Sequence, residues 1–264
     1  EATILPASFS EDAEACVSAG FPAIEVWLTK FEQHLETHSI ADTRRLLAEK
    51  NVVLPAAAYQ GGLLLSQGQQ RKAHFDDFRR RLDLCQGFGI STLLVVADFA
   101  RAVDTTSLER AVVSLKQAGQ WAAAFNVRLA LEFRAADAFC TSLDTAVRLT
   151  AAAAEPNVGV CLDSFHFFKG PSKEADLELL SPANLFWVQV SDLAGVPREL
   201  ASDADRILPG DGDLPLTDFL GKLRKRGYDG YVSLELMNPT LWQTKASQVA
   251  DLGAAALRRI LPPG

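Results

Sequence analysis

Eight short apolar segments alternate with longer segments of helical periodicity along this chain of 264 residues. The eight segments are ATILPAS (2–8), PAIEVWL (22–28), VVLPAAAY (52–59), STLLVVADF (91–99), VRLALEF (127–133), VGVCLDSF (158–165), LFWVQVSD (185–192) and YVSLELM (231–237). Near-continuous apolar strands separated by helices are typical of a parallel sheet that is covered on both faces. Eight such units in a chain of this length predict a closed (β/α)8 barrel, with its first strand almost at Glu1.

The segments between these strands repeat apolar residues at intervals of three and four, which indicates helices. Three clear examples are SIADTRRLLAEKN (39–51), RKAHFDDFRRRLDLCQGFG (71–89) and TTSLERAVVSLKQAGQWAAAFN (105–126). We expect helices to end at Asn51, Gly89, Asn126 and Gly227, just before the next strand. Because no linker, internal repeat or low-complexity segment divides the chain, residues 1–264 are predicted to form one TIM-barrel domain.

The net charge and the cysteines exclude several classes of protein. The net charge is −7 and no run of Lys or Arg exceeds three residues, which disfavours a nucleic-acid partner. No apolar run reaches the 18 or so residues of a membrane span. The four cysteines (Cys16, Cys85, Cys140 and Cys161) lack CxxC spacing, so we expect reduced thiols in a cytoplasmic protein. The segment PGDGD (209–213) lacks the third glycine of a dinucleotide fingerprint.

Oxygen-bearing side chains end four consecutive predicted strands, namely Glu132, Asp163, Gln189 and Glu235. A single glutamate at a strand end is usually solvated or paired with a base. Four such residues inside apolar segments are harder to explain that way, because an unpaired buried charge is costly. Three converging carboxylates repel one another unless a cation lies between them. We therefore predict one divalent metal ion at these four residues, with the amide oxygen of Gln189 as the fourth ligand.

The predicted ligands are all hard oxygen donors, which favours Mg²⁺ or Mn²⁺, with Zn²⁺ or Co²⁺ as alternatives. An aspartate at 163 is followed three residues later by His166. Arg198 and Arg206 lie in the loop after the seventh segment, where they either clamp a substrate or face solvent. Trp27 lies near the end of the second segment and either forms an apolar wall for a sugar ring or only packs.

At these residues the sequence resembles the xylose isomerase-like barrels, a family of sugar phosphate isomerases and epimerases. The resemblance runs from GFPAIEVW (20–27) through LALEF, LDSFH, VQVSD and SLEL, and segment 203–242 resembles the inosose isomerase branch. It implies that Glu132, Asp163, position 189 and Glu235 hold the metal, and that His166 binds substrate. Most of these isomerases and epimerases have histidine where this chain has Gln189. A glutamine there resembles some 3-dehydroshikimate dehydratases of the same superfamily.

The predicted function is a metal-dependent isomerase or epimerase of a ketose, inosose or related polyol. The metal would polarise the substrate carbonyl and acidify the neighbouring C–H bond. Glu132 and Glu235 would then move a proton between carbons through an enediolate, while His166 holds a substrate oxygen or shuttles its proton. A dehydratase and a non-catalytic metal- or sugar-binding barrel are the alternatives. The sequence leaves open whether the chain forms a homo-oligomer.

Overall fold

A computed structural model describes residues 2–261 of the chain, in which strands and helices alternate. The strands are β1 (Ala23–Trp27), β2 (Val53–Gln60), β3 (Thr92–Val96), β4 (Arg128–Glu132), β5 (Val158–Asp163), β6 (Leu185–Val190) and β7 (Val232–Leu234). The α-helices are α1 (Phe9–Ser18), α2 (Leu28–Leu35), α3 (Ile40–Glu49), α4 (Gly68–Phe88), α5 (Thr105–Ala123), α6 (Leu143–Ala153), α7 (Ser164–Lys169), α8 (Leu216–Lys225) and α9 (Ala246–Ile260). Short 3₁₀ helices cover Ala2–Ile4, Glu174–Leu179, Asp203–Asp205 and Leu241–Gln243.

The seven strands form one parallel sheet in sequence order, from β1 to β7, that curls into a nearly closed barrel. The predicted barrel architecture is confirmed. The first predicted strand is wrong, because residues 2–4 form a 3₁₀ helix; Glu1 lies outside the described residues. The hydroxyl of Thr3 donates to the carbonyl of Leu234 at 3.0 Å and accepts from the amide of Leu236 at 3.1 Å. The side chain of Thr3 thus makes the hydrogen bonds at the edge of β7 that the backbone of a further strand would make.

The predicted helix ends are also confirmed by the backbone. Asn51, Gly89, Asn126 and Gly227 all have positive φ, between 52° and 88°. Only glycine, and to a lesser degree asparagine, adopts this left-handed conformation at low cost. These residues therefore stop each helix and turn the chain into the next segment.

The interior of the barrel is packed around one large side chain. Trp187 of β6 is 2% exposed and packs with small residues from the neighbouring strands. These are Ala56 and Ala58 of β2, Ala130 of β4 and Cys161 of β5, together with Leu94 of β3 and Phe186. The small side chains of the neighbouring strands leave room for the indole inside the narrow barrel.

The cysteines agree with the prediction of free thiols. All four cysteines are free thiols, and burial raises the pKa of Cys85 and of Cys140 to about 12. Within residues 2–261, no helix combines the length and hydropathy needed to cross a membrane.

The long loop after β6 is fastened to the barrel by Asp192. Its backbone exchanges two hydrogen bonds with Ile207, at 2.9 and 3.0 Å. Its carboxylate accepts four backbone N–H groups, two on each oxygen, from Leu193, Gly210, Gly212 and Leu214 at 2.8–3.1 Å. A Cβ atom at Gly212 would lie 2.4 Å from Oδ1 of Asp192. The backbone of the PGDGD segment therefore surrounds the carboxylate of Asp192.

We predict that Asp192→Asn lowers the free energy of unfolding by about 2–4 kcal/mol. The new amide nitrogen would face two N–H donors in place of an acceptor, and each hydrogen bond to a charged group is worth roughly 1.5–3 kcal/mol. Urea unfolding would measure the change. Asp213→Asn, in the same loop with an exposed side chain, is the matched control and should leave the midpoint unchanged. Equal stability of the two variants would contradict this role of Asp192.

Candidate functional site

The four oxygen-bearing residues predicted from the sequence lie at the carboxyl ends of neighbouring strands. Glu132 ends β4, Asp163 ends β5, Gln189 is the last but one residue of β6, and Glu235 directly follows β7. In the sheet register Asp163 pairs with Gln189, and the amide of Glu235 donates to the carbonyl of Val190 at 3.2 Å. All four are buried, with at most 6% of each residue exposed.

Glu132, Asp163 and His166 form a group of candidate metal ligands, with one ligand atom from each lying within 4.8 Å of the others. Nε2 of His166 is 3.6 Å from Glu132 Oε1 and 3.7 Å from Asp163 Oδ2. The position of His166 follows from helix capping. Oδ1 of Asp163 accepts the amide of Phe165 at 2.9 Å and starts α7, which brings the histidine back over the strand ends.

Arg206 supplies the positive charge of the site. It is 1% exposed; Nη2 lies 2.7 Å from Asp163 Oδ2, and Nη1 donates to Glu235 Oε2 at 3.1 Å. Asp203 holds the same guanidinium from the other side at 2.8 and 3.0 Å, and the ring of Phe165 lies 4.3 Å from it. Burial alone would lower the pKa of Arg206, but the three surrounding carboxylates raise it, so the group stays charged.

His166 is a neutral imidazole at neutral pH. Burial and the charge of Arg206 lower its pKa, Asp163 opposes both, and the result is a pKa of about 4. Neutral imidazole has one donor and one acceptor nitrogen. Nε2 faces the carboxylates and Arg206, whereas Nδ1 is buried and has no hydrogen-bond partner among residues 2–261. The ring can therefore hold a hydroxyl group or bind a cation without first losing a proton.

The amide of Gln189 is held inside the barrel by two neighbours. Its nitrogen donates to Glu25 Oε1 at 2.9 Å, and its oxygen accepts from the thiol of Cys161 at 3.2 Å. The other oxygen of Glu25 accepts from the indole nitrogen of Trp187 at 3.0 Å. Gln189 is thus buried with both ends of its amide bonded, and its predicted role as a metal ligand stays a prediction.

The structure brings together some of the other predicted residues and separates the rest. His166 and Arg206 lie in the acidic cluster, as described above. Arg198 does not join it: its side chain is 62% exposed and its guanidinium lies 3.4 Å from Glu199. Trp27 is half-buried at the end of β1 and lines a groove with Lys30 and His34. The predicted substrate contacts of these two residues gain no support from their positions.

Two residues of the site were missed by the sequence analysis. Glu25 interrupts the apolar segment AIEVW, which is the same signal that identified Gln189, but it lies in the middle of a strand and not at its end. Asp203 lies in a polar segment of the sequence that is typical of an exposed loop, and none of the residues next to it in sequence predicts a contact with a buried arginine. Glu25 was recognisable from the sequence pattern. The contact of Asp203 with Arg206 depends on the path of the loop, which the sequence does not give.

Several known proteins are similar to this chain along most of its length. The inosose isomerase of Halalkalibacterium halodurans is 25% identical over 93% of this chain and 89% of the relative. A 3-dehydroshikimate dehydratase of Pseudomonas aeruginosa is 28% identical over 89% of this chain but only 37% of that protein. The crystal structure of the IolI protein with a bound zinc atom superposes with a TM-score of 0.93, at 22% identity, over 99% of this chain and 96% of that one. A family model described as xylose isomerase-like TIM barrel matches residues 13–260, and the chain therefore belongs to the xylose isomerase-like TIM barrel family.

Proposed function

We propose that this chain is a metal-dependent sugar isomerase or epimerase that moves a proton next to the carbonyl of a polyhydroxylated ketone, such as a ketose or an inosose. The observation that carries the proposal is the buried group formed by Glu132, Asp163 and His166 at the carboxyl ends of the strands. The likeness to inosose isomerases along nearly the whole chain supports the same class of enzyme. Active sites of barrel enzymes lie at this end of the strands.

The residues of the site fit a divalent cation. Oδ2 of Asp163 is buried and, although it is close to Arg206, has no aligned hydrogen bond among the described residues. The one guanidinium offsets only part of the charge of Glu132, Asp163 and Glu235, so these buried carboxylates still favour an added cation. We propose that they hold the ion together with Gln189. A bound zinc in the related IolI structure is in keeping with a metal in this fold.

His166 competes with Gln189 for the fourth position. One of its ring nitrogens lies within 4.8 Å of the two carboxylates, whereas both ends of the Gln189 amide are already bonded, to Glu25 and to Cys161. Imidazole favours Zn²⁺ more than an amide oxygen does. The preference for Mg²⁺ or Mn²⁺ therefore depends on which of the two residues is the ligand.

The proposed chemistry assigns a task to each side chain. A bound metal ion supplies the Lewis acid that makes the C–H bond beside a ketone acidic. Glu132 and Glu235, which project from β4 and from the end of β7, remove the proton from one carbon and return it to the next. Neutral His166 accepts or donates a hydrogen bond to a substrate hydroxyl. Arg206 fixes the carboxylate of Glu235 through its 3.1 Å contact.

Dehydration is the second candidate. The same removal of a proton gives an enolate, and loss of a hydroxyl group from the next carbon then yields water and a conjugated enone. Two points favour it: a glutamine at position 189 resembles some 3-dehydroshikimate dehydratases, and the chain is similar to a 3-dehydroshikimate dehydratase over 89% of its own length. No side chain in the site excludes either outcome.

We predict that Asp163→Asn and Glu132→Gln each weaken Mn²⁺ binding by at least about 100-fold, because even residues outside the ligand set change metal affinity by roughly 10–100-fold. Calorimetric titration of metal-free protein would measure the affinity. Asp203→Asn, which contacts Arg206 and no proposed ligand, should stay within a few-fold of wild type. Comparing Gln189→Leu with His166→Leu decides the fourth ligand. Unchanged affinity in both Asp163→Asn and Glu132→Gln would overturn the metal site.

We predict that the protein loaded with Mn²⁺ exchanges the C–H next to the carbonyl of its substrate with D₂O, and that Glu235→Gln slows this exchange by at least about 100-fold, the scale of a lost general base. Proton NMR with a panel of ketoses, inososes and 3-dehydroshikimate would follow the exchange. Deuterium uptake without loss of water supports the isomerase. Growth of ultraviolet absorbance from a conjugated enone identifies the dehydratase, and absence of exchange with every compound identifies a non-catalytic binding barrel.

A further inference from the structure

Glu25 is a buried carboxylate to which the proposed reaction assigns no task. It lies in the middle of β1, is 5% exposed, and faces the barrel interior. Its two oxygens accept from different side chains of β6: Oε1 from the amide of Gln189 at 2.9 Å and Oε2 from the indole of Trp187 at 3.0 Å. A buried carboxylate is costly unless it is used in this way. The question is what its interaction with Gln189 achieves.

The two contacts of the Gln189 side chain determine which way its amide points. A carboxylate only accepts hydrogen bonds, so the group of Gln189 that faces Glu25 must be the NH₂. The other end of the amide lies beside Cys161, whose thiol donates to it at 3.2 Å. The group that faces Cys161 must therefore be the amide oxygen. Both neighbours demand the same orientation.

This orientation sends the amide oxygen towards β5 and away from β1. Cys161 pairs with Glu132 in the β4–β5 register, and Asp163 pairs with Gln189 in the β5–β6 register. The oxygen thus lies on the side of the barrel that carries the two carboxylates. A carbonyl oxygen has two lone pairs, so one remains after the bond from the thiol.

We propose that Glu25 is a positioning residue for the metal site, which acts through Gln189. It fixes the amide with its oxygen towards Glu132 and Asp163, and its negative charge behind the NH₂ polarises the amide and makes the oxygen a stronger donor. Carboxylates that accept the N–H of a metal-bound imidazole act in the same way in other proteins. The inference rests on the proposed function, because it requires a cation at these residues.

The test is a double-mutant cycle with Mn²⁺ affinity as the readout. Glu25→Gln, of the same shape, should weaken Mn²⁺ binding by about 10–100-fold, as expected for a residue that supports a ligand. Glu25 also carries charge, which alone would attract a cation. The cycle separates the two effects: in a Gln189→Leu background, Glu25→Gln should produce little further loss. An equal loss in both backgrounds would show a general charge effect and overturn the proposal.

Two further variants complete the design. Trp187→Phe removes the other hydrogen bond to Glu25 but leaves the one to Gln189, so its Mn²⁺ affinity should remain within a few-fold of wild type. The double variant Glu25→Gln/Gln189→Glu reverses donor and acceptor across the same pair and should recover affinity relative to Glu25→Gln. If Glu25→Gln fails to fold, Glu25→Asp, with a carboxylate one methylene further from the amide, should show a smaller loss of the same kind. Full affinity in a folded Glu25 variant would overturn the proposal.

The two proposals fail in different ways. Loss of Mn²⁺ binding in Asp163→Asn, with full binding in Glu25→Gln, leaves the metal site standing and removes only the role of Glu25. Full binding in both variants removes the metal site itself. Circular dichroism of each metal-free variant separates either result from unfolding.

Discussion

The structure depends on burying four carboxylates in and at one end of a narrow barrel. Glu25, Glu132, Asp163 and Glu235 are each at most 6% exposed, and like charges at such depth are tolerated only when cations or donors surround them. Arg206 meets Asp163 and Glu235, while Trp187 and Gln189 meet Glu25. The indole at the centre, the buried arginine in the loop after β6 and the glutamine in β6 are all explained by this one requirement.

Much of this arrangement was predictable from the sequence. Strand ends in a parallel barrel converge, so an oxygen donor near the end of each of four successive apolar segments predicts a cluster. The prediction needed only the strand boundaries, and these were marked by turn residues such as Asn126 and Gly89. His166 was expected at the site from the family resemblance, in which a substrate-binding histidine follows the aspartate by three residues.

The parts that were not predictable depend on contacts between distant segments. Nothing near Arg206 distinguishes it from Arg198, yet one is buried against three carboxylates and the other is exposed beside Glu199. The difference comes from the loop path that Asp192 sets. The first apolar segment was predicted to be a strand because its composition is right, but a single hydroxyl, that of Thr3, bonds to β7 there instead. The periodicity of apolar residues predicts which side chains are buried, but it does not predict with which strand a backbone segment pairs.

The fastening of the loop by Asp192 also bears on how this barrel can acquire new specificity. Residues 194–200 are mostly exposed, while Asp192 and Ile207 are joined backbone to backbone on either side of them. Insertions or exchanges within that exposed stretch would change the surface above the site without moving Arg206, which directly precedes Ile207. Residues 194–200 are therefore a suitable position for loop grafting, because their sequence can diverge or be redesigned while Arg206 and the buried carboxylates keep their positions.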